Sequence, residues 1–426
     1  MTVTLYTAAL VVPVTAPPIP DGAVAVKGGR ILHVGDRRWV AATLAERGLA
    51  FEERQWRGVL TPGLVNAHTH LQYSHMGEVG QGRYQGFPDW AKAFNPVYER
   101  GSDWRKAAAD GATQLLAAGT TAAADVVTDP AAASALHDAG LHGIAYWEVM
   151  DWTNDAWMLR GRAEVEAALD ALPATPGTGL SPHAPYSLEI VPLLDIPDIV
   201  RERGSRIHIH LGEHAIEQEL EHTHPDPWHG KGVGSLRELR DAGYGTSATE
   251  YVDHLGVLGP DCHIAHGVYL SASDRAILRA RGSAVALCPR SNDIIGLGEP
   301  PVAAYLEEGS FISVGTDSLA SSPSLDLLGD VAALFEIARR QGYHRADLAE
   351  RLLAAATLGG ARAMGLHLGR DRTGYLAVGA RADLALFDVP VTTPGAAIDE
   401  LVRHGEGRAA ATIVGGKALY AREDAW

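Results

Sequence analysis

Gly63-Leu-Val-Asn-Ala-His68-Thr-His70 is an apolar run that ends in His-x-His. On a β-strand alternate side chains share a face, so both imidazoles point the same way at the strand's C-terminal end. That is a metal-ligand geometry. The pattern alone is weak: His222-Thr-His224 repeats it inside Glu-His-Thr-His-Pro-Asp-Pro-Trp-His, with no apolar strand before it, and reads as a solvated loop. What gives the first copy its meaning is the texture that follows. From residue 61 to 369 short apolar runs alternate with Ala-, Leu- and Arg-rich helical stretches such as 103–118, 162–172, 271–281 and 325–340. Strand followed by helix, repeated over roughly 300 residues, is the signature of a parallel α/β sheet, and that length suits a (β/α)8 barrel. A doubly wound sheet is the rival arrangement.

Three further strand-like runs end in polar residues of the same kind. Arg206-Ile-His208-Ile-His210-Leu-Gly-Glu213 alternates histidines and then offers a carboxylate. Barrel active sites lie at strand exits, which favours His210 as a ligand and His208 as a buried layer residue. Glu213 can move protons beside a metal, or can simply open a helix whose dipole favours a carboxylate. Cys262-His263-Ile-Ala-His266-Gly ends on His266, and Phe311-Ile-Ser-Val-Gly315-Thr-Asp317-Ser318 ends on Asp317. Any one of these has a structural explanation. Four together at strand exits define a site.

The ends of the chain read differently. Residues 4–12, 23–27 and 30–34 are strand-like between Pro13, Pro17, Pro18 and Pro20. Residues 382–388 and 411–414 are strand-like too, and Gly415-Gly416 suits a hairpin turn. The expected organisation is therefore a small β-sandwich domain built from residues 1–62 plus 370–426, and a barrel over 63–369. The acidic balance, 36 basic against 52 acidic residues for a net charge of −16, disfavours nucleic acid and anionic membrane surfaces as partners. A small-molecule substrate is expected. Two cysteines, Cys262 and Cys288, cannot build a disulfide framework and fit a reducing cytoplasm. No Lys or Arg precedes Lys27, so no secretory signal is expected, and no apolar run approaches the roughly 20 residues of a membrane span. The glycines of 79–86 follow no strand and are not read as a dinucleotide site.

The chain resembles the amidohydrolase superfamily, in its branch of metal-dependent aminohydrolases acting on purine-like or triazine rings. The matching pieces are TPGLVNAHTHL (61–71), SPHAPYS (181–187), HIHLGEH (208–214), HIAHGVYLS (263–271), LCPRSN (287–292), VGTDSLAS (314–321) and GYLAVGARADLALFD (374–388). The resemblance implies His68, His70, His210 and Asp317 as metal ligands, Glu213 and His266 as a catalytic pair together with Asp317, and His183 as a substrate-facing residue. Binuclear relatives use a bridging lysine in mid-barrel, and this chain has no lysine between Lys106 and Lys231, which implies a single metal. Three imidazoles and a carboxylate suit Zn²⁺, with Fe²⁺ as a substitute. The cysteine-based zinc deaminase plan is excluded, because it needs Pro-Cys-x-x-Cys and this chain has Cys288-Pro289.

In the mechanism this implies, the metal acidifies a water, Asp317 takes its proton, His266 polarises it, and Glu213 protonates the ring nitrogen beside the amino-bearing carbon. The motifs around Asp317 and His183 are most similar to nucleoside deaminases, and among them to aminodeoxyfutalosine deaminases of menaquinone synthesis. That substrate needs a ribose contact and a cation for its benzoate. Asp89 and Trp90 stand where relatives touch ribose, although Asp89 also suits a helix cap. Arg160 and Arg162 suit a carboxylate, or a solvated helix start. Ser318, beside Asp317, is a further candidate contact. Glu148, in Ala-Tyr-Trp-Glu-Val, is read as core packing, with a place near the pocket as the alternative, and His75 has no assigned role. The sequence leaves open adenosine, methylthioadenosine, adenosylhomocysteine, guanine or triazine substrates, a non-catalytic metal-stabilised binding role, and self-association into a homo-oligomer.

Overall fold

The computed structural model describes residues 2–173, 177–221, 239 and 242–425; the 222–234 stretch with its second His-x-His pair lies outside the described residues. Eight strands form one all-parallel sheet in chain order: β5 (Leu64–Thr69), β6 (Thr120–Val127), β7 (His142–Val149), β8 (Thr178–Pro182), β9 (Arg206–Leu211), β10 (Cys262–His266), β11 (Ala284–Leu287) and β12 (Ile312–Val314). Each neighbouring pair runs parallel with helices between them, so the strands are buried on both faces and read as apolar runs.

The sheet closes where the first strand meets the chain leaving the last. The carbonyl of His68 accepts the N–H groups of Thr316 and Asp317 at 3.1 and 3.0 Å. Asn66 completes the seam, donating to Thr316 Oγ1 at 2.8 Å and accepting from the Thr316 N–H at 3.2 Å. A Cβ on Gly315 would stand 2.7 Å from His68 Cβ and 2.9 Å from Cys288 Sγ, so this closure requires glycine there. The architecture is a (β/α)8 barrel, and the doubly wound alternative is excluded by the seam.

Barrel helices start where the sequence offers caps. Asp103 accepts from the Lys106 N–H ahead of the helix Trp104–Ala117, and Ser271 with Asp274 forms a reciprocal capping box on Ala272–Arg281.

The two termini form a second, mixed sheet from β1 (Val3–Val11), β2 (Ile19–Lys27), β3 (Arg30–Asp36), β4 (Phe51–Pro62), β13 (Leu384–Phe387), β14 (Ala409–Val414) and β15 (Lys417–Ala421), in the order β15-β14-β13-β4-β1-β2-β3. β1 and β4 are parallel; every other pair is antiparallel. Alternation sorts its two faces: Val3, Leu5, Ala23 and Ala25 pack under the helix Arg37–Glu46, whereas Tyr6, Val24, Leu384 and Ile413 share the other core. The sheet curls until the β2–β3 turn at Gly29 meets the β14–β15 turn at Gly415. Within it Trp56 Nε1 of β4 donates to the Phe387 carbonyl of β13 at 2.9 Å, and it is tied to the barrel by Thr412 Oγ1, which donates to the Leu116 carbonyl at 2.6 Å. Among the described residues no helix is long and apolar enough to cross a membrane.

Candidate metal and active site

At the C-terminal end of the barrel four strand exits converge. His68 on β5 and His70 just past its end have Nε2 atoms 3.6 and 3.8 Å from Asp317 Oδ1. The His68 ring lies 4.9 Å from that of His210 and 5.2 Å from that of His266, centroid to centroid. Donor atoms of His68, His70 and Asp317, and of His68, His210 and His266, fall within 4.8 Å of one another. All are buried. His266 and Asp317 both leave their strands in the left-handed region, at φ 73° and 57°, a conformation that costs a non-glycine residue about 1–3 kcal/mol and is retained where a site needs it.

Each side chain is held by a partner on its far side. His210 Nδ1 donates to the His183 carbonyl at 2.7 Å, and His266 Nδ1 donates to Asn292 Oδ1 at 3.0 Å. Asp317 Oδ2 accepts from the hydroxyls of Ser291 and Ser321 at 2.6 and 2.8 Å, and its Oδ1 accepts from the Ser318 N–H at 2.8 Å. Burial works against an ionised Asp317, yet the neighbouring His70 and His266 and these two hydroxyls outweigh it and hold the carboxyl below its ordinary range. Burial lowers the pKa of His70 to about 3, so its ring stays neutral. His68 Nε2 and His266 Nε2 are buried with no hydrogen-bond partner. Neutral imidazole nitrogens without partners, converging with a carboxylate, fit a divalent ion of the zinc type, and such an ion supplies the acidity that brings a water's pKa from about 16 toward 7.

Glu213 follows β9 and faces His266, with Oε1 3.5 Å from Nε2. Burial pushes its pKa up to about 7, with His210 opposing and Asp317 adding to the rise. It does not open a helix; the short helix Ile216–Glu219 begins after Ala215. From within that helix the Glu217 carboxylate accepts the N–H groups of Gly212, Glu213 and His214 at 2.8, 2.8 and 3.2 Å and so fixes the turn that presents Glu213.

The substrate-side expectations divide. His183 is brought to the site, its ring 5.0 Å from that of His210 and its Nδ1 2.9 Å from Ser187 Oγ. Ser318 is buried and serves the turn at Asp317, its Oγ accepting from the Ala320 N–H. Trp90, half-buried on the helix Phe87–Glu99, donates from Nε1 to the Ala320 carbonyl at 2.9 Å and so ties that helix to the same turn. Asp89 is exposed in the helix's first turn, accepting from the Gln85 N–H, while Gly86 occupies the cap position. Arg160 is not brought to the cluster. It is exposed, paired with Glu164 at 2.7 Å one helical turn on, and lies 5.0 Å from the Trp152 ring. Arg162 is likewise committed, to Glu166, Asp195 and Glu202.

Sequence reasoning underrated Glu148. It projects from β7 beside His183 and His210, buried, with Oε1 lacking a hydrogen-bond partner, and burial raises its pKa to about 8. The signal was its place at a strand exit, shared with the four histidine and aspartate runs. Ser291 and Asn292 were quoted within LCPRSN without roles; they are the partners of Asp317 and His266. His75 bonds Asp110 at 2.8 Å, pinning the turn after β5 to the helix Trp104–Ala117.

A barrel with metal-capable donors and a near-neutral carboxyl at its strand exits is suited to metal-dependent hydrolysis. The sequence profile of the amidohydrolase family matches residues 59–419. The chain belongs to that family, and is a hydrolase acting on C–N bonds. It is 29% identical to a 5-methylthioadenosine/S-adenosylhomocysteine deaminase of Nitratidesulfovibrio vulgaris, across 94% of this chain and 88% of that protein. Its fold is similar to that of an adenosine deaminase from Xanthomonas campestris with bound zinc, at TM-score 0.81 and 23% identity, covering 99% and 93% of the two chains. It is also similar to Helicobacter pylori aminofutalosine deaminase in complex with methylthio-coformycin, at TM-score 0.83 and 22% identity, covering 98% and 100%.

Proposed function

We propose that this protein hydrolytically deaminates an adenine-type nucleoside, with 6-aminodeoxyfutalosine, converted to futalosine in cytoplasmic menaquinone synthesis, as the first substrate to test. The observation that carries the reading is Glu213, a buried carboxyl with a pKa near 7, facing His266 across a set of neutral imidazoles and Asp317. A proton donor so placed suits the ring nitrogen next to an amino-bearing carbon. In this reading His68, His70, His210 and Asp317 hold one Zn²⁺ or Fe²⁺. Asp317 takes a proton from the attacking water, His266 orients that water, and Glu213 gives its proton to the ring nitrogen as the water oxygen bonds to the carbon and makes it tetrahedral. The proton held by Asp317 then passes to the amino group, which leaves as ammonia, and the new hydroxyl returns a proton to Glu213 as the carbonyl forms. His183, beside His210, faces the base. The preference for aminodeoxyfutalosine is supported by the similarity of residues 181–186 and 315–327 to that group of deaminases. The relatives named as 5-methylthioadenosine/S-adenosylhomocysteine deaminases support a second reading, with a sulfur-bearing group on the sugar.

Ammonia release by the zinc-loaded protein, compared as kcat/KM across aminodeoxyfutalosine, adenosine, methylthioadenosine, adenosylhomocysteine and guanine, tests both. A clear preference for aminodeoxyfutalosine upholds the first reading and a preference for either thioether the second. Zinc-loaded protein that releases ammonia from none of them overturns the nucleoside assignment.

A further inference from the structure

We propose that His208 is a positioning residue that makes His68 a ligand by fixing which of its two ring nitrogens carries the proton. The inference rests on the reading above that His68 holds a metal. His208 is fully buried on β9, and its neighbour in register on β10 is His263. Its Nδ1 lies 3.1 Å from the carbonyl oxygen of His263, and its Nε2 lies 2.7 Å from His68 Nδ1. His263 Nε2 in turn lies 3.0 Å from the carbonyl oxygen of Ala67, one residue before His68.

A carbonyl oxygen only accepts, so His208 must carry its proton on Nδ1 and His263 on Nε2. The rings packed on His208 are those of His68, His210, His263 and Tyr146, with the His263 ring stacked at 4.1 Å and 8°. Its hydrogen bonds go to His68 and the His263 carbonyl, and among the described residues no carboxylate pairs with it, so a second proton on His208 would be a buried cation without a counter-charge. His208 Nε2 is therefore a lone pair. The short contact to His68 is then a bond donated by His68 Nδ1–H, which leaves His68 Nε2 as a lone pair. That atom is the one without a partner, 3.6 Å from Asp317 Oδ1. The order of protons is thus set from the backbone of β10, through His208, to the metal-facing nitrogen. His210 receives the same service from the His183 carbonyl, which no side-chain substitution removes. At His68 the service depends on a replaceable side chain.

The test compares Zn²⁺ affinity, by competition with a chromophoric chelator, and the absorption spectrum of the Co²⁺-loaded protein, in wild type, His208→Gln and His208→Leu. Glutamine offers a carbonyl oxygen near the position of Nε2 and keeps the acceptor; leucine fills space without it. The expected result is affinity about 10–100-fold weaker with an altered Co²⁺ spectrum for His208→Leu, and near wild-type behaviour for His208→Gln. Leucine binding as tightly as histidine, or glutamine as weakly as leucine, overturns the proposal. If His208→Leu does not fold, the long-range ¹H–¹⁵N imidazole spectrum of the unmodified zinc protein decides: His208 and His68 must each carry their proton on Nδ1, and any other form of His208 overturns it. His70→Ala separates this proposal from the reading beneath it. Wild type that binds no zinc, or His70→Ala that binds as tightly as wild type, sinks the metal site itself; loss in His70→Ala alone, with His208→Leu unaffected, sinks only the role of His208.

Discussion

In the proposed mechanism Glu213 is the proton donor. A carboxyl with a pKa raised to about 7 is protonated below that pH and ionised above it, so a step that needs Glu213 as acid is fully available at lower pH and is lost as pH rises through 7. The expected outcome is a kcat/KM for deamination that falls on the alkaline side with an apparent pKa near 7. Glu213→Gln is expected to lower kcat by about 10²–10⁴ and to erase that limb, while zinc content measured by atomic absorption stays at wild-type level. A glutamine variant that keeps wild-type kcat would remove Glu213 from the mechanism. At this scale most of the site was legible: His68, His70, His210, Glu213, His266 and Asp317 all come from runs whose polar ends stand out against apolar strands. Glu148 was not, because a single carboxylate at the end of Ala-Tyr-Trp-Glu-Val looks the same whether it turns into the barrel or packs at its rim.

Among the elements, the seam between β5 and the chain leaving β12 decides whether the ligands meet. The His68 carbonyl takes two N–H groups from the far side, and Gly315 allows the backbones to come close enough for it. Gly315→Ala forces its new Cβ against His68 and Cys288. It is expected to cost about 1–3 kcal/mol in urea unfolding and to speed zinc loss to a chelator, because Asp317 is drawn away from His68. Unchanged stability and zinc retention would show that the seam tolerates separation. The helix Phe87–Glu99 shows the opposite limit of sequence reading. Trp90, Phe94 and Val97 recur at helical spacing and pack on the cluster of Met76, Val79 and Ala320, yet no local pattern shows that Trp90 ties the helix to the turn at Asp317.

Across the whole molecule, Arg290 of the barrel pairs with an enclosed barrel carboxylate and, on its outer side, with an exposed glutamate on the segment that leads into the terminal sheet. Arg290, after β11, donates to Asp330 at 2.8 Å and to Glu406 at 2.8 Å, and Asp330 is completely enclosed. Arg290→Met leaves that carboxyl buried without its cation. The expected loss is about 3–5 kcal/mol in urea unfolding, with much of it recovered in the Arg290→Met, Asp330→Asn double variant; equal loss in both would point to packing instead of charge. The amino-acid sequence by itself determined the class of fold and the candidate residues for the site, because an apolar strand with a polar end is a local pattern with a fixed physical meaning. It also determined that both termini are β-rich. Only the tertiary structure decided which residues serve the ligands: Ser291, Ser321 and Asn292 reach Asp317 and His266 from other positions in the chain, and His208 reaches His68 from 140 residues away. It also decided that Arg160 and Arg162 are taken up in ion pairs of their own. Such pairings depend on distances between strands that no local pattern contains.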